Sequence, residues 1–134
     1  MAEPSQYTLV IKEQHVDSYG HVNNATYLTL YEEARWESIT PRGYGFNEIH
    51  QRQQGPVILE VNVKFIKEIR LRESITITTQ LLKYEGKVGQ MVQQMIKEDG
   101  TVASEAVLTF GLFDMKARKL ILPTPEWKKA LAME

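Results

Sequence analysis

Asp17 stands in a turn-forming run, His15-Val16-Asp17-Ser18-Tyr19-Gly20-His21-Val22-Asn23-Asn24, seven residues before Asn24. A carboxylate in such a loop can serve as a nucleophile or a general base. Beyond Asn24 the residue spacing turns helical. If a helix begins at Asn23 or Asn24, the first-turn N–H groups, those of Asn24 and its successors, lack intrahelical partners and point along the axis. With the positive end of the helix dipole they favour an oxygen that gains negative charge, which is an oxyanion site. A carboxylate held across from that site can attack a bound carbonyl or deprotonate a water that does. These parts suit hydrolysis of an activated acyl group. A thioester is the natural case, because its leaving thiolate needs less protonation than an alkoxide or amine. The same residues also admit a plainer arrangement, with Asp17 capping a turn and Asn23 or Asn24 capping a helix, and no substrate. On spacing alone the plainer arrangement comes first, since short polar motifs recur by chance.

Several elements must position this loop. Tyr7 to Ile11 (YTLVI) is a β-prone run, and Ser18, Gly20, Asn23 and Asn24 mark a turn. Tyr27, Leu30, Tyr31, Ala34 and Ser38 then fall on one helical stripe, closed by Pro41 and Gly43. Gly43 to Gln54 reads as loop, with room for a helical turn. From Pro56 the period becomes two: Val57, Leu59, Val61, Val63 and Phe65 alternate with their neighbours through Ile66, a long strand. Ser74 to Leu82 is the next strand. Lys87 to Glu98 follows a turn at Tyr84-Glu85-Gly86, and Asp99-Gly100 is a strong hairpin signal leading to Thr101–Phe113. Thr124 as N-cap and Pro125 at the first helical position open a short helix toward Met133. The order is strand, long helix, then four long consecutive antiparallel strands. One helix cannot cover both faces of such a sheet, so the expected fold is α+β: a curved antiparallel sheet of about five strands wrapped around one long central helix, plus a short C-terminal helix. The whole chain, 1–134, reads as a single domain. Long sheet edges need protection, and pairing with a second copy provides it, so a homo-oligomer is expected.

Composition excludes several classes of function. The net charge of −1 gives no electrostatic case for nucleic acid. The absence of cysteine removes a disulfide framework, a thiol nucleophile and thiolate metal sites. No apolar run approaches the roughly 20 residues of a membrane helix, and the first residues lack the basic start and apolar core of a signal peptide, so a cytoplasmic protein without membrane insertion is the expectation. His15, His21 and His50 do not show ligand spacing with carboxylates, so no metal is expected.

The run D-S-Y-G-H-V-N-N-A-T-Y-L, Asp17 to Leu28, followed by E-E-A-R, Glu32 to Arg35, resembles the signature of the hotdog-fold acyl-CoA thioesterases of the 4-hydroxybenzoyl-CoA thioesterase type, whose pattern is close to D-x-D-x-x-G-H-V-N-N-x-x-Y-L. The order of elements resembles that family over nearly the whole chain. The resemblance implies hydrolysis of a coenzyme A thioester to free acid and thiol, with no cofactor. It implies that Asp17 is the nucleophile or general base and that the backbone N–H at Asn24 polarises the carbonyl. It implies that Gly20 lets the motif backbone bend, and that His21, Asn23 and Tyr27 shape the loop and the substrate pocket. Homodimers or homotetramers with active sites at the dimer interface are usual in the family. One position departs: where a second acid often stands, this chain has His15. A protonated His15 meeting Asp17 would favour its carboxylate form.

Alternatives stay open at this level. They are an acyl-carrier-protein thioesterase, a non-catalytic acyl-thioester binding protein and, less well matched by the D-x-x-x-H spacing, a hydratase. Glu33 is a rival acid on the helix, whereas Glu32 can pair with Arg35 at i+3. His50 reads as a loop histidine. Lys64, Lys67, Arg70 and Arg72 are either a solvated face or a contact for coenzyme A phosphates. Tyr7, Tyr27, Tyr31, Met91 and Met95 read as core.

Overall fold

The computed structural model describes residues 3–133; Met1, Ala2 and Glu134, part of the expected 1–134 domain, lie outside the described residues. The elements in chain order are β1 (Ser5–Val10), a single 3₁₀ turn (Glu13–His15), α1 (Asn24–Ile39), α2 (Phe46–Arg52), β2 (Gln54–Phe65), β3 (Ser74–Glu85), β4 (Val88–Lys97), β5 (Val102–Asp114), β6 (Lys119–Ile121) and α3 (Pro125–Ala130). The strands form one antiparallel sheet in the order β1-β3-β4-β5-β2, with β6 also paired to β5.

The expected architecture is present: a curved sheet carrying one long helix. α1 buries Tyr27, Leu30, Tyr31, Ala34 and Ile39, and a fully buried leucine alone is worth about 1.5–3 kcal/mol. Ser38, expected in that stripe, is half-buried and shares a hydrogen bond with Ser5 Oγ at 2.8 Å. Other polar ties across the interface are the Tyr31 hydroxyl donating to Ser104 Oγ at 2.7 Å and the Gln93 amide donating to the Tyr31 carbonyl at 3.0 Å. Register shifts at Ile58/Glu60, Leu81/Lys83 and Met95/Ile96 place irregularities in the strand pairings. Such irregularities bend a strand and sharpen its twist, as wrapping around a helix requires. Tyr27, Tyr31, Met91 and Met95 are core as expected, and Tyr7 is half-buried.

Three features differ from the sequence reading. The segment 43–54 is not all loop, because α2 occupies Phe46–Arg52 and carries His50 on a helix. A sixth strand, β6, adds to the five expected. Of the four long strands, β3, β4 and β5 are successive hairpins as expected, but β2 pairs with β5, on the far edge from β3. The connection 66–73 therefore crosses the molecule between them. It is anchored by Ile66 and Lys67 N–H groups on the Ala103 carbonyl and by the fully buried Ile69. β2 ends up as a twelve-residue edge strand.

Candidate active site

The motif loop is a narrow hairpin closed by a bridge between Val16 and Val22. The Asp17 N–H donates to the His21 carbonyl at 3.1 Å, and the Gly20 N–H donates back to the Asp17 carbonyl at 3.0 Å. Gly20 has φ +83°, a left-handed conformation that glycine adopts without strain, so the turn needs a glycine there. The crossing segment pins the loop. The Val22 N–H donates to the Ile69 carbonyl at 2.8 Å, and His21 bridges to Arg70. The order strand, loop, helix thus folds onto a connection some fifty residues away, which fixes where the helix can start.

Asp17 sits at that start. Its Oδ1 accepts from the Tyr19 N–H at 2.9 Å, and its Oδ2 lies 3.5 Å from the Asn23 amide nitrogen. Asn23 is the N-cap of α1: its Oδ1 accepts from the Ala25 N–H at 3.0 Å, while the Thr26 N–H donates to the Asn23 carbonyl at 2.9 Å. As the first helical residue, Asn24 has no acceptor for its N–H within the helix. That donor is the one left over for an outside oxygen.

Asn24 faces a surface depression of about 270 Å³, with His21, Tyr27, Phe65 and Lys67 also on its wall. Tyr27 packs edge-on against Phe65, ring centres 4.9 Å apart. Burial, then the nearby Glu68 and Glu73, pushes the Tyr27 hydroxyl above its usual range, so it keeps its proton. His21 Nε2 lies 3.0 Å from Glu68 Oε2, and Glu68 also pairs with Arg70. The Arg70 hydrogen bond holds the Glu68 carboxyl below its usual range. Asp17, Asn23 and Asn24 are therefore neighbours at one helix end, and His21, Asn24 and Tyr27 share one depression. Asp17 borders the N-cap rather than the wall of that depression.

The remaining candidates fall as follows. His15 Nδ1 accepts from the Lys12 N–H at 2.9 Å. A nitrogen that accepts carries no proton, so this arrangement offers Asp17 no imidazolium. Glu33 accepts from the Tyr7 hydroxyl at 3.3 Å on the surface. The expected Glu32–Arg35 pair does not form: Arg35 turns inward and donates to Gln93 Oε1 at 3.0 Å. In the basic run, Arg70 is engaged by Glu68 and Arg72 by Glu13, while Lys67 lines the same depression as Asn24. His50 is exposed against Phe46.

Sequence reasoning missed a second cavity, of about 340 Å³, between the C-terminal half of α1, the sheet and α3. Its polar lining includes Arg35, held by Gln93, a fully buried residue. The signal was a glutamine at an inward-facing position of β4, between Met91 and Met95.

Residues 9–131 match the model of the thioesterase-like superfamily. The chain is 32% identical over 127 residues to the long-chain acyl-CoA thioesterase FadM of Escherichia coli (strain K12), covering 94% of this chain and 96% of that one. Among solved structures, the probable thioesterase YbaW of Escherichia coli superposes with a TM-score of 0.82 at 31% identity, covering 95% and 96% of the two chains. The Staphylococcus aureus protein SAV2348, solved in complex with CoA, superposes with a TM-score of 0.90 at 19% identity, covering 98% and 84%, which is a likeness of fold.

Proposed function

The chain belongs to the thioesterase-like superfamily, and from that premise we propose that it hydrolyses acyl-coenzyme A thioesters at the N-terminus of α1. The observation that carries this reading is the junction of Asp17, Asn23 and Asn24. A carboxylate oxygen rests on the N-cap side chain, and the next residue's N–H is unspent. The thioester carbonyl oxygen accepts from the Asn24 N–H. Asp17 takes a proton from a water that adds to the carbonyl carbon, or attacks that carbon itself. The carbon–sulfur bond then breaks, and the thiolate leaves and takes up a proton; on the direct route water next hydrolyses the anhydride formed on Asp17, which releases the acid and restores the carboxylate. A positioned base contributes about 10²–10⁴-fold and one oxyanion donor about 10²–10³-fold. Gly20 and Asn23 hold the loop against the helix, and His21 and Tyr27 line the approach. Lys67, on the wall of the same depression as Asn24, is the member of the basic run best placed for a coenzyme phosphate.

The working form in this reading is a homodimer or a dimer of dimers joined through β2. That strand is an edge, and it exposes Ile58, Leu59, Val61 and Phe65, followed by Ile66. An apolar edge twelve residues long invites a second strand. Among the described residues, no helix is long and apolar enough to cross a membrane.

The test is a panel of short, long and aromatic acyl-CoA substrates run on the wild type, Asp17→Asn and Glu33→Gln. The expected result is wild-type turnover, a kcat at least about a hundredfold lower in Asp17→Asn, and near-normal rates in Glu33→Gln. An unchanged Asp17→Asn rate refutes the role of Asp17. Loss of turnover only in Glu33→Gln moves the acid onto the helix. Hydrolysis of carrier-protein thioesters alone marks an acyl-carrier-protein thioesterase, and hydrolysis of none marks a binding protein.

A further inference from the structure

We propose that the cavity between the C-terminal half of α1, the sheet and α3 is a binding site for an aliphatic carboxylate, with the Arg35 guanidinium as its counter-ion. Most of its wall is apolar, built from Ile39, Leu81, Met91, Phe110, Trp127 and Leu131. A cation set in such a wall needs an explanation. Gln93 supplies part of one. Its amide nitrogen donates to the Tyr31 carbonyl and to Thr79 Oγ1, both at 3.0 Å, so only its oxygen is left for Arg35 Nη1. That amide is locked, and it aims the guanidinium without neutralising it.

A guanidinium has five N–H donors, and this contact uses one. Arg35 belongs to none of the ion pairs among the described residues. The other charged groups on the cavity wall are Glu3, Glu32, Arg42 and Lys83. Arg42 donates to the Ala130 carbonyl, and Lys83 sits 3.7 Å from Glu85. By the same count Arg42 keeps donors too, but it rests on a main-chain carbonyl at the end of α3, whereas Arg35 is the cavity cation held on a fully buried side chain, that of Gln93. Burial lowers its pKa, and the Glu32 carboxylate, which forms no ion pair with it, offsets only part of that effect. Removing a charge from water costs free energy unless a partner replaces the lost hydration, and a carboxylate fits a guanidinium with two parallel hydrogen bonds.

The size fits an acyl chain. A volume of about 340 Å³ lies at the small end of ligand pockets. Taking a methylene as the ~30 Å³ that a water occupies in the liquid, it holds about eleven carbons. The site is separate from the motif loop: Arg35 lies eleven residues beyond Asn24 on α1, roughly 16 Å at the helical rise. Two sources share this chemistry. One is a free fatty acid. The other is an acyl-CoA whose chain ends in a second carboxylate.

Both tryptophans of the chain, Trp36 and Trp127, line the cavity, so intrinsic fluorescence reads its occupancy without turnover. Dodecanoate, dodecanol and dodecyltrimethylammonium are titrated into the wild type, Asp17→Asn and Arg35→Gln at neutral pH. The expected result is dodecanoate binding at least about tenfold tighter than dodecanol to the wild type and to Asp17→Asn, with that preference lost in Arg35→Gln while dodecanol affinity holds. The ammonium should bind more weakly than the alcohol to the wild type, and binding as tight as that of dodecanoate overturns the proposal. Equal affinity for acid and alcohol in the wild type overturns it without needing any variant to fold, as does a preference that survives in a folded Arg35→Gln. In a second arm, the mono-CoA thioester of dodecanedioic acid is compared with dodecanoyl-CoA. A KM at least about tenfold lower for the former, abolished by Arg35→Gln, assigns the carboxylate to the substrate. Equal KM values with retained dodecanoate binding assign it to the free acid. Because binding is read in Asp17→Asn, failure of the hydrolytic reading and failure of this one are distinguishable.

Discussion

Replacing Asn23 by aspartate changes one donor into an acceptor beside Asp17 and leaves the cap of α1 in place. In the native protein the Asn23 amide nitrogen lies 3.5 Å from Asp17 Oδ2, and the amide oxygen accepts from the Ala25 N–H at 3.0 Å. An aspartate at 23 keeps that acceptor, and aspartate ranks with asparagine as an N-cap. Its charge at the helix N-terminus gains about 0.3–1 kcal/mol. Against this, two carboxylates separated by the same 3.5 Å repel by about 1.2 kcal/mol in water and ~5 kcal/mol at an effective dielectric constant of 20. Asp17 is half-buried and its loop neighbours Ser18, Tyr19 and Gly20 are exposed, so the watery end applies. The two effects on stability nearly cancel, and Tm should stay within about 2 °C. In Asn23→Ala the cap is lost with no charge to compensate, at about 1 kcal/mol and roughly 3–5 °C of Tm. Thermal melts of the two folded variants at neutral pH separate the terms. A Tm that falls as far in Asn23→Asp as in Asn23→Ala would refute the cap at residue 23 or the balance of charges around it.

Three further outcomes follow from packing. Val61→Lys puts a charge on the exposed β2 edge, and light scattering should find monomers at micromolar concentration; an intact oligomer places the interface elsewhere. Tyr31→Phe leaves the buried Ser104 hydroxyl without its 2.7 Å partner, so urea unfolding should register a loss of about 1–3 kcal/mol; a loss near zero means that Ser104 finds another acceptor or donor. Gly89→Ala brings a methyl group to 2.7 Å from Phe110 Cζ and 2.8 Å from Tyr84 Cδ2, so both rings must move, with an expected cost of about 1–3 kcal/mol in the same assay.

The sheet was legible where alternation ran unbroken and was lost where it broke. The pattern in Ser74–Leu82 stops because a register shift at Leu81/Lys83 moves later side chains to the opposite face; the strand itself runs on to Glu85. β6 is three residues long, too short to carry a period. α2 buries only Ile49, so it has no apolar stripe, although Glu48 reaching back to the Gly45 N–H at 2.7 Å is a helix-start link that the sequence spacing contained. Strand pairing was legible at the two tight turns, which join β3 to β4 and β4 to β5 as read. The place of β2 was not: an alternating run reads the same whichever neighbour it chooses, and it is the 66–73 crossing, fixed by Ile69 under the motif loop, that sends β2 to the far edge.

At the candidate site, residue type and spacing read the turn at Asp17, the cap at Asn23 and the helix start at Asn24, because caps and turns are local. Long-range partners obeyed a different rule, and Arg35 makes the difference quantitative. Pairing with Glu32 one turn away would be worth about 0.2–0.5 kcal/mol on an exposed helix face. Leaving the fully buried Gln93 oxygen without a donor would cost about 1–3 kcal/mol. Satisfying the buried oxygen outweighs the surface pair, so Arg35 turns inward to a residue fifty-eight positions away. Glu32 stays exposed and takes part in no ion pair among the described residues. The same choice carries a charge into an apolar wall, where it has one amide oxygen for a partner and donors to spare. Local spacing therefore reads Arg35 as a surface residue, whereas the buried glutamine opposite makes it the polar group of a cavity.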